Sequence, residues 1–309
     1  MKKQTSKIVD IKLPAKQAFS IPTDIDFVKL NCLMCINGRR GSGKTLALCN
    51  FLRVCREKNY FDKIYCVTPS YNSNRELLDI AMIEEEDVFE PSVDVLQDII
   101  QLCELEKKEY EQFLIAKARY KKFKRDMRTH RQILDEDLLE YEMLGLFEME
   151  GPPKWKYPKE QMPRCAIMLD DCLNTPIMAC RSAGLTNLAI RHRHVLDGNG
   201  ISLFMLVQSY CAHGGVPRVI RENCTHLLLF KINDEKQIEK IKQECDLPIT
   251  DDEFQSLLTE CHNEDHQFLM IDFAPKCPAK MFRKGWNEYL IPNSLASKCK
   301  CVERKNVNS

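Results

Sequence analysis

Eight residues constrain this chain more than any others: Gly38-Arg39-Arg40-Gly41-Ser42-Gly43-Lys44-Thr45. They fit the pattern G-x-x-x-x-G-K-[ST], and they lie between two stretches of different period. Before them, residues 27–36 (FVKLNCLMCI) form an apolar run that reads as a strand. After them, residues 46–57 repeat apolar side chains (Leu46, Leu48, Phe51, Leu52, Val54) at helical spacing. A short strand, residues 63–68 (KIYCVT), then ends at Pro69. Strand, glycine-rich loop, helix and strand make the opening βαβ unit of a parallel sheet. The loop chemistry is that of a phosphate cradle. Glycines let successive backbone N–H groups turn onto one anion, and the helix start adds its dipole. Lys44 then reaches the β- and γ-phosphates and the Thr45 hydroxyl ligates Mg²⁺. A tight glycine turn made only for packing would not require Lys-Thr to follow it.

Further along, the sheet resumes as near-continuous apolar runs: residues 165–169 (CAIML), 201–207 (ISLFMLV), 226–231 (HLLLFK) and 267–273 (QFLMIDF). Runs without alternation imply strands buried on both faces, hence a parallel sheet between helices. Between about 86 and 160 the character changes. Phe113, Ala116, Tyr120, Phe123 and Met127 recur at three- and four-residue steps, which predicts an amphipathic helix. Residues 107–131 carry ten Lys or Arg against three acids, whereas 132–150 carry seven acids and no Lys or Arg. This reads as a helical insertion, a hairpin whose two arms bear opposite charge. Residues 1–25 read as an arm, 26–275 as the main domain, and 276–309 as a basic tail.

Composition excludes little. The formal net charge is zero, so attraction to nucleic acid or membrane must come from local charge distribution. No apolar run approaches a membrane span, and the N-terminus lacks the apolar core of a secretory signal. The 16 cysteines are scattered, several within apolar runs, which reads as core thiols in a reducing, intracellular setting. Cys32 and Cys35 form a CxxC, but no second pair follows; Cys299 and Cys301 are no better placed for zinc. His192, His194 and His213 have no metal-ligand spacing and are assigned no metal.

Two adjacent carboxylates, Asp170 and Asp171, end the strand 165–169. Ligands of open α/β sheets bind at the carboxyl ends of strands. There the first acid suits a magnesium contact and the second can orient and polarise an attacking water. A helix cap is the competing reading of such a pair. Gln208 ends the strand 201–207, where an amide can sense a γ-phosphate or orient water. A guanidinium from a neighbouring subunit can stabilise the transferring phosphoryl group. Candidates are Arg191, Arg193, Arg218 and Arg221, with Arg221 first because it lies just before the strand 226–231. Together these features predict an α/β fold of the P-loop NTPase type (ASCE, RecA-like). Its cofactors would be ATP and Mg²⁺, its cradle residues 38–46 including Leu46, and its metal ligands Thr45 and Asp170. The catalytic set is Lys44, Asp171, Gln208 and Arg221.

The order of these motifs is similar to that of viral genome-packaging ATPases, the poxvirus-type branch of the FtsK–HerA superfamily found in large DNA viruses, virophages and polinton-like elements. The resemblance spans roughly residues 27–275. It rests on GRRGSGKT, KIYCVTPS, CAIMLDDC, ISLFMLVQS and the more specific turn IRENCTHLLLF. It implies a homo-oligomeric ring, pentamer or hexamer, that drives double-stranded DNA into a preformed capsid. A capsid or portal-vertex protein would be its partner, and the host cytoplasm or nucleus, or the virion, its location. It also implies the Walker A roles for Lys44 and Thr45, the Walker B roles for Asp170 and Asp171, the sensor role for Gln208 and the finger role for Arg221. Two departures stand out. Asp171 occupies a position where much of the superfamily has Glu, and the insertion at 86–160 has no counterpart. Other readings remain open: a small-molecule phosphotransferase, a GTPase (no NKxD-like motif is present), or a scaffold that binds ATP without turnover.

Overall fold

The computed structural model describes residues 28–129, 133–172, 175–179, 184–211 and 215–296. Its first strand, β1 (Leu33–Asn37), feeds the glycine loop and helix α1 (Lys44–Glu57). The apolar run expected to pair from residue 27 starts its ladder later. Asn31 takes a left-handed φ of 60° and donates from Nδ2 to the Asn199 carbonyl at 2.8 Å, so the chain turns before β1. Next come β2 (Lys63–Val67), α2 (Tyr71–Ile80) and the two-residue strand β3 (Val88–Phe89). The insertion follows as α3 (Val95–Arg128) and α4 (Asp135–Met143).

Strand β4 (Cys165–Asp170) returns to the sheet, followed by the short helices α5 (Pro176–Ala179) and α6 (Leu185–Arg191). Strand β5 (Ile201–Val207), helix α7 (Arg218–Asn223) and β6 (His226–Phe230) complete the parallel part. Helices α8 (Glu235–Cys245) and α9 (Asp251–His262) lead into β7 (Phe268–Asp272). The chain closes with β8 (Phe282–Lys284), β9 (Glu288–Leu290) and α10 (Asn293–Ala296).

Among the described residues the strands form one sheet in the order β3-β2-β4-β5-β1-β6-β7-β8-β9. Strands β1 to β6 pair in parallel, and β7, β8 and β9 are added antiparallel. The fold is therefore α/β with a mostly parallel central sheet and the P-loop NTPase arrangement of loop and first helix. Alternate side chains of each apolar run enter opposite layers. Leu33 and Cys35 of β1, Ile167 of β4 and Leu203 of β5 face α6, α7 and α9, whereas Met34, Ile36, Met168 and Phe204 face α1. Cys32 and Cys35 thus fall in different layers and cannot ligate one ion together. Continuous apolarity reports this two-sided burial and says nothing of direction. Strand β7, with both faces covered, runs antiparallel to β6 although its sequence was expected to run parallel.

Residues 278–296, expected within a basic tail, contribute β8, β9 and α10 to the domain and bury Phe282, Arg283 and Leu295. A long helix does carry Phe113, Tyr120 and Phe123. Its proximal turns bury Val95, Leu96, Ile99 and Cys103 against the sheet. Its distal turns form a separate small core with Tyr141 and Leu146, closed by the Tyr141 hydroxyl donating to Asp126 at 2.7 Å. Opposite charges pair across this hairpin, with Lys122 to Asp137 at 2.6 Å and Arg119 to Glu140 at 3.6 Å. Twelve described cysteines are free thiols, eleven of them buried; Cys277 departs from the expected pattern and is disulfide-bonded. No helix among the described residues is long and apolar enough to cross a membrane. Residues 1–25, His213, Cys299 and Cys301 lie outside the described residues.

Candidate active site

Four neighbouring parallel strands, β2, β4, β5 and β1, end side by side, and the predicted residues meet at that edge. The glycine loop leaves β1 and is tied to β5 where the Gly38 amide donates to the Val207 carbonyl at 3.1 Å. Gly38 has no room for a side chain: a Cβ there would lie 2.6 Å from the Phe230 Cβ and 2.7 Å from the Ser42 Oγ. Gly43, at φ 94°, takes the left-handed conformation from which α1 starts. The loop, the first turn of α1 and the strand ends enclose a cavity of about 420 Å³.

Lys44 is buried, and its Nζ donates to the carbonyls of Gly38 at 2.8 Å and Arg39 at 3.1 Å. Burial pulls its pKa down, and the charges of Asp171 and Asp170 partly restore it. The Thr45 Oγ1 lies 3.4 Å from Oδ2 of Asp170, the last residue of β4. Asp170 is 3 % exposed, and burial first and the Asp171 charge second push its pKa up to about 6. A hydroxyl and a crowded carboxylate are hard oxygen donors, the set that Mg²⁺ takes. The electrostatic strain on Asp170 is of the kind a divalent cation relieves, so the residues present fit the ion.

Asp171 follows in a left-handed turn with φ 52°. Its Oδ1 accepts a hydrogen bond from Gln208 Nε2 at 3.0 Å, which joins the ends of β4 and β5. Gln208 is exposed and lines the cavity, as do Arg40, Leu46 and both aspartates. Arg39 is exposed at the loop tip. Two groups were not foreseen. Asn74, on α2, donates to Asp170 Oδ2 at 3.0 Å, and Ser70 and Ser73 line the same wall. His266 places Nδ1 3.2 Å from the Ser42 carbonyl, against the loop's outer side. The proximity of β2 to β4 brings in Asn74, and strand order of that kind is not written in the local sequence.

The structure does not bring Arg221 to this cavity. Its Nη1 donates to the carbonyls of Tyr210 at 3.2 Å and Val216 at 2.6 Å, and its Nη2 donates to Glu244 at 2.8 Å. Its Nε lies 2.7 Å from the second oxygen of Glu244. A finger role would need this guanidinium to turn outward from the contacts that bind it inside its own chain. It braces the segment that follows Gln208. Of the other candidates, Arg191 and Arg218 are exposed, the latter ion-paired with Glu222. Arg193 lines a separate cavity beside Cys32 and His226 at the opposite strand ends. His192 is buried with each ring nitrogen against a carbonyl, Ala189 at 2.7 Å and Asn31 at 3.1 Å, and burial lowers its pKa.

No family model matches the chain, and no curated protein matches it. Solved structures do. The genome packaging NTPase B204 from Sulfolobus turreted icosahedral virus 2, in complex with ATP-gammaS, is similar over 84% of this chain and 98% of its own. Identity is 10% and the TM-score 0.45. The pCW3 conjugation coupling protein TcpA, with ATPgS, is 14% identical over 91% of this chain and 67% of its own, with a TM-score of 0.43. Thermomonospora curvata EccC (ATPases 2 and 3), in complex with a signal sequence peptide, is 15% identical over 90% of this chain and 42% of its own, with a TM-score of 0.40. At such low identities and scores these likenesses decide nothing about substrate or partner.

Proposed function

We propose that this chain is an ATPase that drives double-stranded DNA into a viral capsid, acting as a homo-oligomeric ring. The observation that carries the enzymatic half is the meeting of Lys44, Thr45, Asp170, Asp171 and Gln208 around one cavity. The loop amides and Lys44 bind the phosphate chain and hold the γ-phosphoryl group facing Asp171. Lys44 exchanges its two carbonyl partners for phosphate oxygens, which carry the opposite charge. Thr45 and Asp170 would hold Mg²⁺, which neutralises charge on the β- and γ-oxygens. Asp171 orients the attacking water and takes its proton, and the Gln208 amide fixes the carboxylate that does so. An aspartate here reaches less far than a glutamate, and the left-handed turn at residue 171 brings it into the cavity.

The DNA half rests on the order of the sequence motifs, above all the Gln-ended strand followed by the Arg-Glu-Asn turn. A ring, a capsid or portal-vertex partner and a virion-assembly location belong to the same reading. The test is hydrolysis of Mg·ATP measured alone, with duplex DNA, and with a panel of small hydroxyl acceptors. Stimulation by duplex DNA of any sequence is expected. Phosphoryl transfer to a small acceptor would replace this reading with a phosphotransferase, and tight ATP binding without turnover would leave a scaffold.

A further inference from the structure

We propose that the outer face of α4 is a docking surface for this chain's own N-terminal arm, residues 7–16, and that the docked arm ties the tip of the helical hairpin to the base of the sheet. Apolar surface is concentrated at that face. Of the fifteen large apolar side chains that stand exposed among the described residues, six fall between residues 134 and 147: Leu134, Leu138, Leu139, Met143, Leu144 and Phe147. Tyr141 and Leu146 fill the small core against α3. Leu139 and Met143, one helical turn apart, are 59% and 80% exposed. A cluster of this kind marks a surface that another segment covers.

Charge identifies the occupant. Basic residues of α3 take the acids on the inner edge of α4, Asp137 and Glu140. Asp135, Glu136 and Glu142 are exposed, and none of them has a cationic partner among the described residues. Each lies three or four positions from Leu139, so carboxylates rim the apolar pair. The segment that fits is apolar and cationic. Residues 1–16 (MKKQTSKIVDIKLPAK) carry five Lys against one acid, and Ile8, Val9, Ile11 and Leu13 lie between Lys7 and Lys16. Position and length favour the chain's own arm over another molecule. Val28, the first described residue, is buried in the segment that leads into β1. Asn31 in that segment donates to the Asn199 carbonyl, and Asp197 of the same turn is ion-paired with Lys107 of α3. The arm therefore leaves the domain beside the turns where α3 leaves the sheet. From Lys107 to Arg128 the helix advances about 32 Å, at about 1.5 Å per residue. The chain from Lys16 to Val28 spans up to about 40 Å when extended. Lys16 thus reaches α4, and a tether of that length holds the arm at a local concentration in the millimolar range.

The test is the rate at which dilute hydrogen peroxide oxidises Met143 in the full chain, read by mass spectrometry against Met82, which is 53% exposed. A docked arm should make Met143 react several-fold more slowly than Met82, the reverse of their order by exposure. Lys7→Glu with Lys12→Glu and Lys16→Glu should speed Met143 oxidation about tenfold, as should Glu136→Lys with Glu142→Lys, the effect of losing two or three exposed ion pairs. Met82 should keep its rate in every variant, which also reports an intact fold. Combining the two sets should slow Met143 again. Carbodiimide coupling of the arm lysines to Glu136 or Glu142 should give a product of one-chain mass. Fast oxidation of Met143 in the unsubstituted chain would overturn the proposal by showing an open face. Slow oxidation indifferent to the arm's charges would overturn it by showing a different occupant. A coupled product of two-chain mass would overturn it by placing another copy's arm on this face.

Discussion

Asp171 sits in a backbone conformation that Asp and Asn tolerate and most side chains do not, so Asn is the least disruptive test of its chemistry. Asp171→Asn should keep nucleotide affinity and lose turnover by about 10²–10⁴-fold, because the amide takes no proton. Steady-state hydrolysis beside a binding titration reads both, and normal turnover would remove Asp171 from the mechanism. Lys44→Ala should instead weaken ATP binding by about a hundredfold, the loss of a charge-assisted contact. Arg221 calls for a different experiment. If it braces the chain from within, Glu244→Gln should depress hydrolysis alongside Arg221→Ala. Arg221→Ala should also lower stability by about 2–4 kcal/mol in urea unfolding, since it strands Glu244 and two carbonyls. A trans finger would make the opposite pattern: Glu244→Gln fully active, and activity recovered on mixing Arg221→Ala with Asp171→Asn subunits. The meeting of Lys44, Thr45, Asp170, Asp171 and Gln208 at one cavity was legible in sequence because their backbone and side-chain needs are local. The anchoring of Arg221 within its own chain was not legible because its partner, Glu244, lies 23 residues away on another helix.

Helix α10 is joined to α9 by buried Leu295 and by one carboxylate. Glu253 caps α9 through Thr250 and accepts from the amide and hydroxyl of Ser294 at 2.9 and 2.8 Å. These donors hold its pKa down at about 2, below the ordinary 4.5. A carboxylate lowered on folding stabilises in its charged form. Its contribution is therefore complete above about pH 4.5 and is lost as the pH falls towards 2. Glu253→Gln should flatten the acid limb of the stability–pH curve in that window; an unchanged curve would show that the docking does not depend on charge. The hairpin of α3 and α4 is the second separable element. Phe123→Ala should cost the small outer core about 3–4 kcal/mol and speed amide exchange in α4, with ATP binding intact. Its helical period and charge asymmetry were readable because a helix repeats locally. Strands β3, β8 and β9, of two or three residues, leave no period to read, and the end of the domain was placed before β8 and β9 for that reason.

Under the proposed function duplex DNA would meet the molecule's whole charge distribution, which sums to zero. Much of the basic face of α3 is already engaged, with Lys107, Lys117, Arg119 and Lys122 paired to Asp197, Glu160, Glu140 and Asp137. Among the described residues Lys121 and Arg128 carry no acidic partner, and Lys124 rests over the rings of Tyr120 and Phe123. Replacing Lys121, Lys124 and Arg128 by Ser should weaken duplex binding and reduce its salt slope, because fewer counterions are released. Removing residues 296–309 tests the tail in the same way, and basal hydrolysis should survive both changes. No effect across a salt series would show that these groups do not carry the proposed DNA contact. The same hairpin has a mechanical side. At 1.5 Å per residue the 34 residues of α3 make a rod of about 50 Å, seated at one end in the main core. Its seat is joined to the nucleotide cavity by short steps: the Thr68 amide donates to the Phe89 carbonyl, and Ser70, which lines the cavity, donates to the Thr68 hydroxyl. A stiff arm multiplies angle into distance. A tilt of about 10° at the seat carries the charged tip through about 9 Å, close to the rise of two or three base pairs at about 3.4 Å each.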